Sequence, residues 1–516
     1  MRKFEFTKIA CIIVVFCVAT TIASPAQTFT SLANFNQTDG GNASFGPLVQ
    51  GPNGNLYGTT QFGGTSNYCG QSYGCGVVFE VSPAGKLTAL YSFCSQTGCT
   101  DGGNPHAGLL LASNGNFYGT TSIGGINNRG TIFQITPAGK LITLHSFCSQ
   151  AGCADGYNPG RLVQARSGSI YGITSNGGSN LGGNGDGGGT VFELTSAGKV
   201  ITVYSFCAQV SVSGNCSDGQ YPQAGLVQAL DGNFYGVTFY GGDSTSLFCA
   251  TGCGTAFEIT AAGKLTTLYS FCPGNSTCPD GKQPEGALIQ GSDGNFYGTT
   301  YAGGTNGAGT VFEISSGVRT TVYNFCSQVN SRHICTDGAF PLSQVTQASD
   351  GNFYGTTWAG GANDDGTAFE VTNTGVLTQL HSFCSQTSCT DGSLPNAALA
   401  QATNGTFYGL SENGGTDFLG CFNTNGCGGV FSLSTGLGPF VEAIPNFGKP
   451  SRVVGILGNS LTGTTSVTFN GAPATFQVVS GTLVKAMVPS GATTGLIQVT
   501  TPAGTISSNL AFQVLP

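Results

Sequence analysis

Charge is scarce in this chain: 16 Lys+Arg and 24 Asp+Glu among 516 residues. So few basic groups argue against nucleic acid and against an anionic membrane surface as partners. No apolar run, the N-terminal one included, is long enough to span a membrane, so the mature chain is not expected to insert in one. Helical periodicity is also missing outside the N-terminus. Cysteine stops at Cys427, and the chain has only four His and one Trp. No nucleophile–base pairing or carboxylate pair in a defined cleft can be picked out. These absences leave an all-β reading with no catalytic residues assigned.

Glycine is abundant, with 84 residues, more than twice the usual fraction of about 7%. Its placement is periodic. Asp293-Gly-Asn-Phe-Tyr-Gly-Thr-Thr300 and the following Gly309-Thr-Val-Phe-Glu-Ile-Ser315 have close copies along most of the chain. The Tyr recurs at Tyr57, Tyr118, Tyr171, Tyr235, Tyr297, Tyr354 and Tyr408, giving gaps of 61, 53, 64, 62, 57 and 54 residues. Periods of this length indicate a propeller or a solenoid. Each copy holds four apolar runs bounded by Gly, Asp and Asn, the strand-and-turn pattern. In the fifth copy they are residues 286–290, 295–300, 309–315 and 319–325. Asp-Gly-Asn and Ala-Gly-Lys join them as tight hairpins, because Gly and Asn tolerate positive φ. Four antiparallel strands per repeat predict a propeller blade.

The seventh copy ends at Ser434, one strand short, while residues 28–35 match the fourth strand of other copies. Pairing the two would close a seven-bladed β-propeller over residues 27–436 and remove its open edges. Residues 1–26 read as a secretory signal peptide: Arg2, Lys3 and Lys8, then apolar Ile9 to Ala19, then Ser24-Pro25-Ala26. Cleavage after Ala23 is an alternative, and bulky Phe16 disfavours a lipoprotein signal at Cys17. The mature chain then carries 13 Lys+Arg against 23 Asp+Glu. It is expected to be secreted or held at the cell surface.

Eighteen cysteines lie beyond the signal and fall into nine sets of close neighbours. These are Cys69 and Cys75, Cys94 and Cys99, Cys148 and Cys153, Cys207 and Cys216, Cys249 and Cys253, Cys272 and Cys278, Cys326 and Cys335, Cys384 and Cys389, and Cys421 and Cys427. An even count in an exported chain predicts nine disulfides. Zinc is the rival reading and would need four reduced thiols converging from different loops. From residue 437 onward the repeat stops. Short alternating strands around residues 453–457, 466–469, 484–488, 496–500 and 509–514 predict a C-terminal immunoglobulin-like β-sandwich over 437–516.

The recurring Gly-Asn-Phe-Tyr-Gly-Thr-Thr, Gly-Thr-Val-Phe-Glu and Leu-Tyr-Ser-Phe stretches resemble the GloVer tandem repeat of bacterial exported proteins, over roughly residues 28–434. The third copy departs from it at Ser169-Ile170-Tyr171. Gly455-Ile-Leu-Gly-Asn459, Val467-Thr-Phe-Asn-Gly471, Val488-Pro489 and Gly495-Leu-Ile-Gln-Val499 resemble an IPT/TIG domain. The first resemblance implies export without an established activity. The second implies a sandwich used as a spacer or protein-contact module.

An Asp precedes Gly after every fourth strand: Asp39, Asp101, Asp155, Asp218, Asp280, Asp337 and Asp391. A cation-binding carboxylate ring is one reading, and turn capping is the favoured one. Glu80, Glu193, Glu258, Glu313 and Glu370 recur in the third strand and read as repeated inter-blade hydrogen bonds. His145 and His381 stand where other copies have Tyr. His106 and His333 fall near loops, with no nameable partner. No cofactor is expected; Gly182-Gly-Asn-Gly-Asp186 gives only a faint calcium signature. Both cysteine classes and all long insertions fall on one predicted face, where braced variable loops would carry specificity. Phe62, Tyr240, Tyr301 and Trp358, just after second strands, are candidate contact aromatics there, with packing between blades the competing role. The expected function is a non-enzymatic scaffold for an extracellular glycan or protein. A propeller hydrolase or lyase on polysaccharide, and a structural adhesion component, are the alternatives.

Overall fold

The computed structural model describes residues 27–43, 46–69, 73–180, 185–211, 214–244, 246, 249–274, 277–416 and 426–516. The signal segment, Cys421 and most of the calcium-like stretch lie outside them.

The repeats fold into seven antiparallel sheets of four or five strands, and the C-terminal segment forms further sheets of its own. Within a repeat the strands run from inside to outside in chain order. In repeat 5 they are Ile289–Gln290, Phe296–Thr300, Thr310–Ser315 and Val318–Asn324. The innermost strand is shorter than the apolar pattern predicts, because Gly286, Ala287 and their counterparts leave the ladder to line a cavity. Every residue of the second strand Phe296–Thr300 is buried, whereas the fourth strand Leu87–Ser92 of repeat 1 is half exposed. That gradient follows from sheets stacked face against face. The stacking also explains the Gly after each Tyr. A Cβ on Gly298 would sit 2.7 Å from the Phe312 ring and 2.9 Å from Leu288, so a side chain there would force the two strands apart.

Neighbouring sheets share cores. The ring of Phe93 meets Phe133 of the next repeat edge-on at 5.1 Å, and Phe147–Phe192, Phe206–Phe257, Phe271–Phe312, Phe325–Phe369 and Phe383–Phe431 repeat the contact. Phe35, from the amino-terminal segment, makes the same contact with Phe79 of repeat 1, also at 5.1 Å. Its strand, Thr28–Asn34, lies antiparallel on Gly429–Ser434 as the outer strand of the seventh sheet. A register shift falls between Ser31 and Ala33, as it does between Val78 and Phe79 within repeat 1. One cluster joins Phe35, Leu48, Leu56 and Val77 of the first sheet's surroundings to Tyr408, Leu410 and Val430 of the seventh.

A second tie is polar. In six of the seven repeats the inner-strand Gln accepts a hydrogen bond from a turn N–H of the preceding repeat. These bonds run from Ser113 to Gln164, Arg166 to Gln228, Leu230 to Gln290, Ser292 to Gln347, Ser349 to Gln401 and Thr403 to Gln50, at 2.8–3.2 Å. The last returns from repeat 7 to repeat 1. One step is missing, and both partners there are changed: repeat 2 has Leu111 for Gln, and the facing turn has Pro52, which carries no N–H.

The C-terminal segment forms two four-stranded sheets and one parallel pair, Phe447–Gly448 with Gln513–Val514. One four-stranded sheet holds Glu442–Ile444, Val453–Leu457, Leu483–Met487 and Phe476–Ser480; the other holds Ala472–Pro473, Ser466–Phe469, Ile497–Thr501 and Gly504–Ser507. Val454, Ile456, Val484 and Ala486 pack with Val467, Phe469, Ile497 and Val499 in one core. This unit rests on the Asp-Gly-Asn turn side, at the missing step. Leu457, Ile444 and Leu483 join the cluster around Leu111, and Thr482 Oγ1 donates to Pro52 O at 2.8 Å.

Candidate functional site

In most repeats a Pro precedes the inner strand: Pro105, Pro159, Pro222, Pro284, Pro341 and Pro395. The residue before it has a left-handed backbone, as at Tyr221 (φ 59) and Phe340 (φ 58). Only Gly adopts this conformation without cost. A backbone bond to the preceding repeat helps hold each strained residue, such as Tyr221 N–H to Gly188 O at 2.9 Å and Phe340 N–H to Ala308 O at 2.8 Å. The chain then turns inward, and the segments after Pro line a shared cavity of about 350 Å3 with contributions from all seven repeats.

The strands of each repeat are nearly constant, but these inward segments are not. The cavity wall carries His106 from repeat 2, Arg161 from repeat 3, Gln223 from repeat 4, Glu285 from repeat 5 and Gln344 from repeat 6. Arg161 Nη1 donates to Gln344 Oε1 at 2.7 Å, bridging repeats 3 and 6. Burial pulls the Arg161 guanidinium down to about 10, which leaves it charged at neutral pH. Burial pushes Glu285 up to about 7 and His106 down to about 4. Glu285 is the one carboxylate among the described residues of this wall. Two-carboxylate glycoside hydrolysis therefore has no pair here.

Tyr221 and Gln223 also line an adjoining pocket of about 480 Å3 with Asn176, Asp186 and Tyr240, where the Tyr221 and Tyr240 rings lie 5.9 Å apart. A further cavity of about 420 Å3 lies between the inner strands and the sandwich, and Arg161 and Gln344 reach it too. Its wall includes Leu48, Leu399, Phe440 and Leu510.

Among the sequence candidates, Tyr240 thus lines a pocket. Tyr301 packs on Phe340 at 5.3 Å, Phe62 lies 6.4 Å from Tyr73, and Trp358 joins the Phe340 cluster and donates to Glu412 of the next repeat. The recurrent Asp side chains bind their own loops. Asp101 accepts from Tyr91 Oη (2.8 Å), Ser95 N–H (2.9 Å) and Gln96 N–H (3.3 Å). Asp218, Asp280 and Asp337 accept in the same way from Tyr204, Tyr269 and Tyr323, and Asp39 from Asn36. His145 and His381 replace the tyrosines and sit 3.1 Å from Asp155 and Asp391. Burial alone would raise these two carboxyls, but the bonds from His, Ser and backbone N–H hold each at about 2.

The third-strand Glu residues do not bridge sheets as expected. Glu258, Glu313 and Glu370 each accept from the Asn of their own Asp-Gly-Asn turn at 2.6 Å, and Glu80 accepts from Asn53 at 2.7 Å and also from Asn55. Each turn leads into the second strand, which pairs directly with the third strand that carries the Glu, so the bond closes within one sheet.

Eight cysteine pairs are joined as expected. They are Cys69 with Cys75, Cys94 with Cys99, Cys148 with Cys153, Cys207 with Cys216, Cys249 with Cys253, Cys272 with Cys278, Cys326 with Cys335, and Cys384 with Cys389. The ninth, Cys421 with Cys427, includes a residue outside the described ones. Two local details depart from the sequence reading. Cys99 and Cys153 close single helical turns, Thr97–Cys99 and Ala151–Cys153, where no helix is expected; three residues are too few to show a helical period. Cys216 and Cys335 instead form short bridges with Val210 and Val329. Their partners lie nine residues away rather than five, which leaves room for a small hairpin.

The carbonyls of Cys99, Cys153, Cys216 and Cys335 accept from Gly125, Gly178, Gly242 and Gly361 N–H of the following repeat, at 2.9–3.0 Å. None of these four cysteines lines the central cavity, so they brace joints between repeats and do not touch the candidate site. Cys69 and Cys94 Sγ lie 3.8 Å apart, but each belongs to a disulfide and offers no thiolate to zinc. His333 is exposed in its loop, whereas His106 lies in the cavity rather than on a loop rim. Arg161, Glu285, Gln223 and Gln344 were not singled out by sequence. Their signal was the variability after an otherwise constant Pro.

No curated protein matches the chain. Among solved structures, a fungal alcohol oxidase in complex with copper is 12% identical, covering 92% of this chain and all of that one, at a TM-score of 0.47. A putative gluconolactonase is 11% identical, covering 80% of this chain and 94% of that one, at 0.35. Dipeptidyl peptidase 4 from Porphyromonas gingivalis is 10% identical, covering 93% of this chain and 60% of that one, at 0.34. Likenesses this distant assign no activity. The Gloeobacter/Verrucomicrobia repeat matches residues 16–185 and 181–423, and the IPT/TIG domain matches 439–514. The chain belongs to the Gloeobacter/Verrucomicrobia repeat family and carries a C-terminal IPT/TIG domain.

Proposed function

We propose that the seven sheets close into a seven-bladed β-propeller and that the chain is an exported, non-enzymatic scaffold binding an extracellular glycan or protein. The return of the glutamine ties from Thr403 to Gln50 and the Phe35–Phe79 contact support closure. The disulfides support export to an oxidising compartment, as does the amino-terminal signal pattern. The observation that carries the binding reading is the cavity wall. Chemistry that differs between repeats is gathered where all seven meet, and a volume near 350 Å3 falls within the range of about 300–1,000 Å3 typical of small-ligand sites. Ligand enters past Tyr221 and Tyr240, on the side of the disulfide-braced loops, since the sandwich occupies the other side.

A second reading, a hydrolase or lyase on polysaccharide, is favoured by one observation: Glu285 and His106 are unmatched in other repeats and share the cavity. A glycan and polysaccharide array on the purified mature protein separates the two. Binding without breakdown, lost on filling the cavity with Gln223→Trp, is the expected outcome. Depolymerisation that disappears in Glu285→Gln would replace the scaffold with an enzyme.

A further inference from the structure

Arg161 is the only Lys or Arg side chain among the described residues of the central cavity wall. In the other repeats its register position holds Pro47, Gly108, Gly225, Ala287, Gln344 and Ala398, so its charge is not part of the repeat. A guanidinium offers five N–H donors. This one donates to a single neutral acceptor, Gln344 Oε1, at 2.7 Å. Among the described residues no carboxylate pairs with it, and Glu285 on the same wall makes no ion pair. A cation withdrawn from water without an anion is costly unless a ligand supplies one. His106 is held neutral by its burial, which leaves Arg161 as the fixed positive charge of this wall at neutral pH.

The remaining donors form a planar fork suited to a carboxylate bound through both oxygens. Gln344 holds one edge of the fork and so sets its plane. Around it the wall offers neutral hydrogen-bonding groups, Ser122, Asn158, Ser175 and Gln223, and the Tyr221 ring. Such groups suit a body rich in hydroxyls with one flat apolar face.

We infer that the central cavity binds a carboxylated saccharide of the uronate class, with its carboxylate on Arg161 and its hydroxyls on the surrounding amide and hydroxyl side chains. This rests on the cavity being the ligand site proposed above. Calorimetric titration of the mature protein with D-glucuronate, D-galacturonate and their short oligomers is compared with D-glucose, D-galactose and glucose 6-phosphate. Uronates should bind, with the neutral sugars at least tenfold weaker. Arg161→Gln should lower uronate affinity tenfold or more, and Arg161→Lys, which keeps charge but loses the fork, should lose less. Thermal unfolding verifies that each variant is folded, and Arg161→Lys carries the comparison if Arg161→Gln is not.

Equal affinity for acidic and neutral sugars, tighter binding of the phosphate, an unaffected Arg161→Gln or no uronate binding at all would each overturn the inference. Neutral-sugar binding abolished by Gln223→Trp would leave the binding scaffold standing without its anion preference. Uronate binding indifferent to both Gln223→Trp and Arg161→Gln would remove the cavity reading itself.

Discussion

Phe35 tests closure most directly. It is 1% exposed and lies just beyond the amino-terminal strand, yet its ring packs between the first and seventh sheets. Removing a buried Phe side chain costs about 3–5 kcal/mol, because contacts vanish and the cavity only partly collapses. About 0.5–1.5 kcal/mol of that belongs to the edge-on ring pair itself. Phe147 makes the equivalent contact inside the array, with Phe192 at 5.2 Å, and supplies the internal standard. If the amino-terminal strand completes the seventh sheet, Phe35→Ala and Phe147→Ala should shift urea unfolding by similar amounts, about 3–5 kcal/mol each. If it merely rests on an array already stable without it, Phe35→Ala should cost less than about 1 kcal/mol, in the range of a surface change. A near-wild-type midpoint for Phe35→Ala beside a large loss for Phe147→Ala would refute closure by this strand.

Leu111→Gln should loosen the sandwich, because the new amide meets Pro52, which has no N–H to give; faster proteolysis within residues 435–441 is the readout. Glu285 carries a carboxyl raised by burial to about 7 from an ordinary 4.5, so its contribution to stability is fully present below pH 4.5 and is lost as pH rises through 7. Glu285→Gln should therefore gain thermal stability relative to wild type at pH 8 but not at pH 4, and parallel pH profiles would count against it. Reduction should cost about 2 kcal/mol or less per disulfide, leaving the far-ultraviolet spectrum intact while the loops become cleavable. Loss of the β signal on reduction would show that the bridges do more than brace loops.

The sheets were legible because their requirements recur. Each second strand needs the Tyr and the Gly that lets Phe312 or its counterpart close over it, and each hairpin needs Gly or Asn at positive φ. Seven copies average away local accidents, and the unpaired strand at either end exposed the join. The cavity was hidden by the same repetition. His106, Arg161 and Glu285 read as noise between a constant Pro and a constant apolar strand, and only the inward turn of those segments gives them a common address. The third-strand Glu was misread for a different reason. A carboxylate repeated in five of the seven sheets suggests a bond between sheets, but a hairpin places its own Asn closer than any neighbouring sheet can reach.

The domain arrangement follows from one broken step. A ring of identical glutamine ties would present the same polar turn surface all round and give the sandwich no preferred site. At repeat 2 both halves of the tie are absent, Gln by Leu111 and N–H by Pro52, so the break leaves no orphaned polar group. It leaves an apolar notch instead, filled by Leu457, Ile444 and Leu483. From that anchor the sandwich extends over the inner strands, where Asn459 Nδ2 donates to Thr403 Oγ1 at 2.8 Å and Phe440 N–H to Thr403 O at 3.0 Å. It therefore covers the turn-side end of the central space, and Arg161 and Gln344 separate the cavity beneath it from the one above. Restoring the tie tests this logic without adding bulk. Pro52→Ser with Leu111→Gln should re-form the seventh bond and weaken sandwich docking more than either change alone. If the double variant holds the sandwich as tightly as wild type, the notch is not what positions it.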